Sequence, residues 1–315
     1  MTRRRVVVTG MGMVSPIGHS VETSWQAAIA GQSGIRINEG FDTEAFGVKI
    51  CGNVVDFDIS EYLNPTEARR MDGYIQLGVA AATQAIKDAG LTAHPDDADR
   101  IGVAIGSGIG GIETIENTHA TLVKSGPRRV SPFFIPGVVI NMISGNVSIE
   151  WGFKGPNFSV VTACTTGTHN IGIGARMIQY GEADVMVVGG AESATSPITV
   201  AGFNSMKAHS TRNDDPAAAS RPWDADRDGF VLGEGAGVLV IEEYERAKAR
   251  GAQIYAELTG FGMSADAFHI TGPAESGEGG AAAMQNALND AQLNPQDLGY
   301  LNAHGTSTPL WDVAE

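Results

Sequence analysis

Five short runs rich in valine and isoleucine constrain this chain most: Arg5-Val-Val-Val-Thr9, Ile101-Gly-Val-Ala-Ile105, Phe158-Ser-Val-Val-Thr162, Val185-Met-Val-Val188 and Gly237-Val-Leu-Val-Ile241. Each is apolar at consecutive positions rather than alternating, the pattern of a strand covered on both faces. Longer helical patterns separate them, at Val21–Ala30, Asp72–Ala89, Thr166–Tyr180 and Gly280–Ala291. Strands alternating with helices predict an α/β layered architecture with largely parallel strands.

An internal repeat sharpens that expectation. Ala256-Glu-Leu-Thr-Gly-Phe-Gly-Met-Ser264 echoes Val7-Val-Thr-Gly-Met-Gly-Met-Val-Ser15, and Ala287-Leu-Asn-Asp-Ala-Gln-Leu293 echoes Ala85-Ile-Lys-Asp-Ala-Gly-Leu91. The strand and turn at Ile101–Gly108 then correspond to Tyr300–Thr306. Order is kept across all three pairs, so the chain reads as a duplicated α/β unit. The first copy occupies residues 1–250 and the second 251–315. Beyond Thr306 only Ser307–Glu315 remains, so the second half is expected to be incomplete.

Charge excludes several function classes. With 36 acidic against 21 basic side chains the formal charge is -15, the wrong sign for coating nucleic acid or an anionic membrane. No apolar run approaches the roughly 18 residues of a membrane span, and the N-terminal valines are cut at Thr9-Gly10-Met11-Gly12, too early for a signal peptide. Cys51 and Cys164 are the only cysteines, which favours a reducing, cytoplasmic setting.

Two segments carry chemistry. In Val160-Val-Thr-Ala-Cys-Thr-Thr-Gly-Thr-His169 a buried strand is expected to end at Cys164, with a helix rich in small residues following. A thiol there faces the positive end of the helix, which favours thiolate. Spacing alone leaves two readings, a nucleophile or a buried structural thiol. His304, in Asn302-Ala-His-Gly-Thr-Ser-Thr-Pro309, reads as an imidazole placed in a polar turn or as an incidental residue of a capping turn. Both fall where α/β sheets place ligands, at the C-terminal ends of predicted strands. Gly106-Ser-Gly-Ile-Gly-Gly111 matches a dinucleotide-binding pattern, but no acidic residue ends a second strand about twenty residues on, and NAD is rejected. Histidine and cysteine spacings fit no metal site.

Taken together, these residues resemble the bacterial β-ketoacyl-acyl-carrier-protein synthases, particularly the type II elongating branch. The resemblance runs through Arg4–Met13, Gly106–Gly111, Gly126-Pro-Arg-Arg-Val-Ser-Pro-Phe-Phe134, Thr162-Ala-Cys-Thr165, Ser210-Thr-Arg-Asn-Asp214, Ser220-Arg-Pro-Trp-Asp224, Arg227-Asp-Gly-Phe-Val-Leu-Gly233 and His304-Gly-Thr-Ser-Thr-Pro309. It implies a thiolase-like, duplicated α-β-α-β-α layered sandwich, a homodimer, and no metal or organic cofactor. The implied reaction is 3-oxoacyl thioester synthesis by decarboxylative Claisen condensation between an acyl-enzyme and malonyl-loaded acyl carrier protein. Cys164 would accept the acyl chain, and its backbone N–H would form half of an oxyanion hole. His304 would be one of two imidazoles on the malonyl carbonyl. Gly108, Ile109, Phe134 and Phe203 resemble the lining of the acyl pocket, and Thr306 and Thr308 are expected on substrate as well. Arg69, Arg70, Arg128, Arg129 and Lys207 are candidates for docking the acyl carrier protein.

Two departures accompany the resemblance. The family's second histidine, a lysine and a Gly-rich gating loop belong to a C-terminal quarter beyond Glu315, which keeps an incompetent fragment or a chain-length-factor-like decoy as the alternative. Cys164 argues against a decoy, which would replace the nucleophile, and the His304–Pro309 segment argues against a degradative thiolase. Trp311 stands where the family has glycine, an indole expected to crowd the turn and, were that glycine at positive φ, to strain the backbone by ~1–3 kcal/mol.

Overall fold

A computed structural model describes residues 3–315. The strands are β1 (Val6–Val14), β2 (Arg36–Ile37), β3 (Ile50–Cys51), β4 (Ile101–Gly106), β5 (Asn157–Phe158), β6 (Val185–Glu192), β7 (Gly235–Glu243) and β8 (Ala256–Glu257). The chain divides into two compact units. The first comprises residues up to Gly34, Gly52–Thr199 and Gly233–Leu258; the second comprises Ile35–Cys51, Val200–Leu232 and Thr259–Glu315.

The first unit is built on a six-stranded sheet of order β5-β4-β6-β7-β1-β8. β5, β4 and β6 pair in parallel, whereas β7 is antiparallel to both β6 and β1, and β8 is antiparallel to β1. Four strands therefore run one way and β7 and β8 oppose them. The consecutive apolar residues serve two cores, as strand geometry requires. Val185 and Val187 belong to one cluster and Met186 and Val188 to the other; Val103 and Ile105 divide from Ala104 in the same way. The helix Gly73–Asp88, capped by Asp72 and buried along most of its length, fills the first face. Ala175 and Ile178 of the helix Thr166–Gln179 fill the second. That is the α-β-α layering expected from the sequence.

The duplication is visible in atomic detail. A Cβ at Gly12 would collide with the Ala81 carbonyl of the helix beneath, and a Cβ at Gly262 with the carbonyl of Ala283. Beside each glycine the same hydrogen bond recurs. Met11 N donates to Asp88 Oδ2 at 2.9 Å, and Phe261 N to Asp290 Oδ2 at 2.8 Å. Close approach of main chain to helix backbone, from β1 in the first copy and from the segment after β8 in the second, explains why both copies carry Gly-x-Gly opposite alanines.

The second unit holds the antiparallel pair β2–β3, a cluster of Val48, Ile50, Val200 and Ala219, and the helix Glu278–Ala291. Here one expectation fails. Tyr300–Thr306 forms no strand, and Tyr300 and Leu301 are 80% and 57% exposed. A strand exists only where a neighbour completes its hydrogen bonds, and no ladder partner flanks this segment among the described residues.

Candidate active site

The chain leaves β5 after Phe158, so the strand expected to run to Thr162 is two residues long. Beyond it, side chains of the following helix take over the backbone's hydrogen bonds. Asn170 accepts from Val160 N at 3.0 Å and donates to Val160 O at 3.0 Å, and Thr166 Oγ1 accepts from Thr162 N at 2.9 Å. Cys164 sits in the 3₁₀ turn Ala163–Thr165 immediately before the helix Thr166–Gln179. Ala163 has φ 52°, a left-handed conformation that costs a non-glycine residue about 1 kcal/mol or more. Cys164 is exposed while Cys51 is buried, so of the two readings open to Cys164 the buried structural thiol does not describe it. The correction concerns its setting: a strained, exposed turn replaces the end of a buried strand.

The glycine-rich loop after β4 lies against this turn. A Cβ on Gly108 would come within 3.4 Å of the Ala163 carbonyl oxygen. Ser107 Oγ donates to Glu192 Oε1 at 2.7 Å, and the N–H groups of Gly108 and Ile109 donate to Oε2 at 2.9 and 3.0 Å. Burial pushes the Glu192 carboxyl above its ordinary range, and these hydrogen bonds oppose the shift. A dinucleotide loop turns its N–H groups toward phosphate; this one turns them toward an internal carboxylate. Farther along, Gly111 N donates to Val138 O at 3.4 Å, joining the loop to the short helix Phe134–Val138. Gly108, Ile109, Phe134 and Cys164 thus lie on adjoining segments of the first unit.

In the second unit the turn His304–Pro309 is fastened from below. Asp312, 2% exposed, accepts from Ser307 N and from Trp223 N, both at 3.0 Å, and pairs with Arg227 at 3.1 Å. Arg227 Nη2 also donates to Pro309 O at 2.9 Å, and Gly229 N to Ser307 O at 3.0 Å. Glu315 accepts from the N–H groups of His304 and Gly305. His304 is exposed, and the hydroxyls of Thr306 and Thr308 lie 2.9 Å apart. Trp311 overturns the expected crowding and strain. It opens the helix Trp311–Ala314, is absent from the positive-φ residues, and packs edge-to-face on His304.

Phe203 lies in an aromatic cluster with His209 and Phe230, at centroid distances of 5.4 and 5.2 Å. Burial lowers His209 to about 4, and neither ring nitrogen has a hydrogen-bond partner. Of the docking candidates in the first unit, Arg69, Arg128 and Arg129 are exposed, and Arg70 stacks 4.3 Å over the Phe133 ring. Lys207 belongs to the second unit, exposed and at φ 53°. Sequence reasoning missed Glu192, Arg227 and Asp312 as the groups that hold these turns. The available signals were an acid ending an apolar strand and an Arg in a motif with no assigned role. Among the described residues, no cluster of His, Cys, Asp and Glu is arranged to hold a metal, and no helix is long and apolar enough to cross a membrane.

Comparison with known proteins bears on the whole chain. The 3-oxoacyl-[acyl-carrier-protein] synthase 2 of Vibrio cholerae serotype O1 is 60% identical over 315 residues, 100% of this chain and 76% of that protein. Its namesake from Coxiella burnetii is 53% identical with the same coverage. A solved β-ketoacyl synthase from Burkholderia phymatum STM815 superposes with TM-score 0.89 at 38% identity, covering 99% of this chain and 76% of that one. A ketosynthase solved in complex with its type II PKS acyl-carrier protein superposes with TM-score 0.88 at 32% identity, covering 99% of this chain and 76% of its own. The model of the β-ketoacyl synthase N-terminal domain matches residues 3–247 and that of the C-terminal domain residues 255–315. By family model, sequence identity and fold alike, the chain belongs to the β-ketoacyl synthases.

Proposed function

We propose that this protein is a condensing enzyme of fatty acid elongation, joining an acyl chain to a two-carbon unit from malonyl-loaded acyl carrier protein. The Cys164 thiolate attacks the acyl thioester, forming acyl-Cys164 and releasing the carrier's thiol. The malonyl thioester then loses carbon dioxide, leaving its electron pair on the α-carbon as an enolate. That carbon attacks the acyl carbonyl, and expulsion of the Cys164 thiolate yields the 3-oxoacyl thioester. His304 donates an imidazole N–H to the malonyl carbonyl oxygen, where enolate charge develops. The backbone N–H of Cys164 serves the oxyanion of the acyl-transfer steps. Gly108, Ile109 and Phe134 are assigned to the acyl chain, and Phe203 keeps that assignment within its own unit. Thr306 and Thr308 are assigned to the substrate thioester's polar arm.

Partner and setting follow the same reading. The carrier docks through Arg69, Arg70, Arg128, Arg129 and Lys207. The enzyme works as a homodimer in the cytoplasm, where a nucleophilic thiol stays reduced.

The observation that carries the proposal is the exposure of Cys164 in a strained turn at the head of a 14-residue helix, in a chain 60% identical to a 3-oxoacyl-[acyl-carrier-protein] synthase 2. Brief treatment with iodoacetamide at neutral pH, followed by peptide mapping, is expected to label Cys164 at least tenfold faster than buried Cys51. An acyl-thioester donor should modify the same residue. Equal labelling, or preference for Cys51, would sink the assignment.

A further inference from the structure

The short helix Trp311–Ala314 and the residue after it hold the histidine turn at three levels. Asp312 accepts from Ser307 N at 3.0 Å. Glu315 accepts from His304 N and Gly305 N. Trp311, one helical turn before Glu315, lies against the imidazole itself, the two ring centroids 6.3 Å apart and their planes at 87°. Its indole does not hang loose, because Nε1–H donates to the Thr271 carbonyl oxygen at 3.3 Å. The loop around Thr271 is ordered locally too: His269 Nδ1 accepts from Thr271 N at 3.1 Å and Gly272 N at 3.0 Å.

Fixing the main chain of a histidine does not fix its ring. The terminal torsion of an imidazole is broad, so the direction of its N–H depends on what packs beside it. A donor to a developing oxyanion must already point at the right place before charge appears. An edge-to-face aromatic partner is a directional contact, and one anchored at its far end transmits that direction.

We propose that Trp311 is a positioning residue that holds the plane of the His304 imidazole and ties it to the Ser264–Pro273 loop through Thr271. This rests on the reading of His304 as the imidazole that serves the malonyl carbonyl. Trp311→Gly removes both ring contact and anchor. Trp311→Phe keeps an aromatic ring and loses only the anchor. The indole is 41% exposed, so neither change should unfold the chain.

Two measurements decide the proposal. In the first, indole emission of the full chain is followed from neutral to acid pH, because an imidazolium in ring contact quenches indole. The part of the acid step that Trp311→Phe removes should be removed equally by His304→Gln; a Trp311-dependent step that survives His304→Gln would overturn the ring contact. In the second, acylation of Cys164 and carbon dioxide release from a malonyl thioester are measured separately. Trp311→Gly should lower kcat for release about tenfold with KM within twofold and acylation unchanged, and Trp311→Phe should recover part of the loss. Wild-type kcat in Trp311→Gly, or an equal loss in acylation, would overturn the positioning role. Wild-type protein that acylates Cys164 but releases no carbon dioxide would overturn the proposed condensing activity of this chain instead. The emission titration would still decide whether Trp311 holds the ring.

Discussion

At the scale of single residues, His209 shows most clearly what burial does to a titratable group. Its ring is 4% exposed, wedged between Phe203 and Phe230, and neither nitrogen finds a partner. Burial disfavours the charged form and lowers its pKa from 6.5 to about 4. The unfolded chain therefore binds more protons than the folded one between those two values. The neutral ring's advantage is fully present above pH 6.5 and is lost as pH falls toward 4. The loss is at most about 3 kcal/mol for a shift of this size. Urea unfolding of wild-type protein and His209→Leu at pH 7 and pH 4.5 would isolate it. The variant should be the less acid-sensitive by one to three kcal/mol, roughly. Parallel losses in both proteins would show that His209 is not the source.

At the scale of elements, the passage of a Gly-x-Gly segment close over a helix is the device used twice, once in β1 and once in the segment that follows β8. Gly12 and Gly262 allow the backbone to pass over Ala81 and Ala283 where no Cβ fits. Gly12→Ala should force β1 away from the helix Gly73–Asp88, at a cost of roughly 1–3 kcal/mol as overpacking. Gly262→Ala should do the same to the helix Glu278–Ala291, with a smaller penalty because that helix is mostly exposed. Denaturation midpoints of the two variants against wild type test this; an unchanged midpoint for Gly12→Ala would refute the close-approach argument. The pattern was legible in the sequence because Gly-x-Gly and its opposing alanines recur in order. The strand expected at Tyr300–Thr306 was not so readable, since its apolar and polar residues say nothing about what lies beside it.

At the scale of the whole molecule, the proposed docking of an acyl carrier protein, which the family resemblance implies is acidic, has to overcome this chain's own negative charge. A net charge of -15 repels at long range, yet salt confines that repulsion to about 8 Å under cellular conditions. A local basic patch can then direct docking. Of the proposed docking residues Arg69 is a better probe than Arg70, which is already engaged with the Phe133 ring. Arg69→Glu should slow association with the carrier protein severalfold, more at low salt, while acylation of Cys164 by a small acyl-CoA donor is unchanged. If both donors slow equally, Arg69 supports the fold and the docking role fails.

Sequence alone determined the layered α/β class, the duplication and the residues worth suspecting. Those features are written in local periodicity and in motifs whose spacing travels with the chain. Tertiary structure decided what fills each backbone group's hydrogen-bonding capacity. Asn170 and Thr166 take the place of a strand before Cys164. Glu192 occupies the N–H groups of the glycine loop. Asp312 and Arg227 fasten the turn that carries His304. Trp311 settles against the imidazole where crowding had been expected. Such partners lie across a turn or, as with Glu192 and Arg227, more than eighty residues away. A polar group accepts whichever donor the fold brings within 3 Å or so, and no local pattern names that donor in advance.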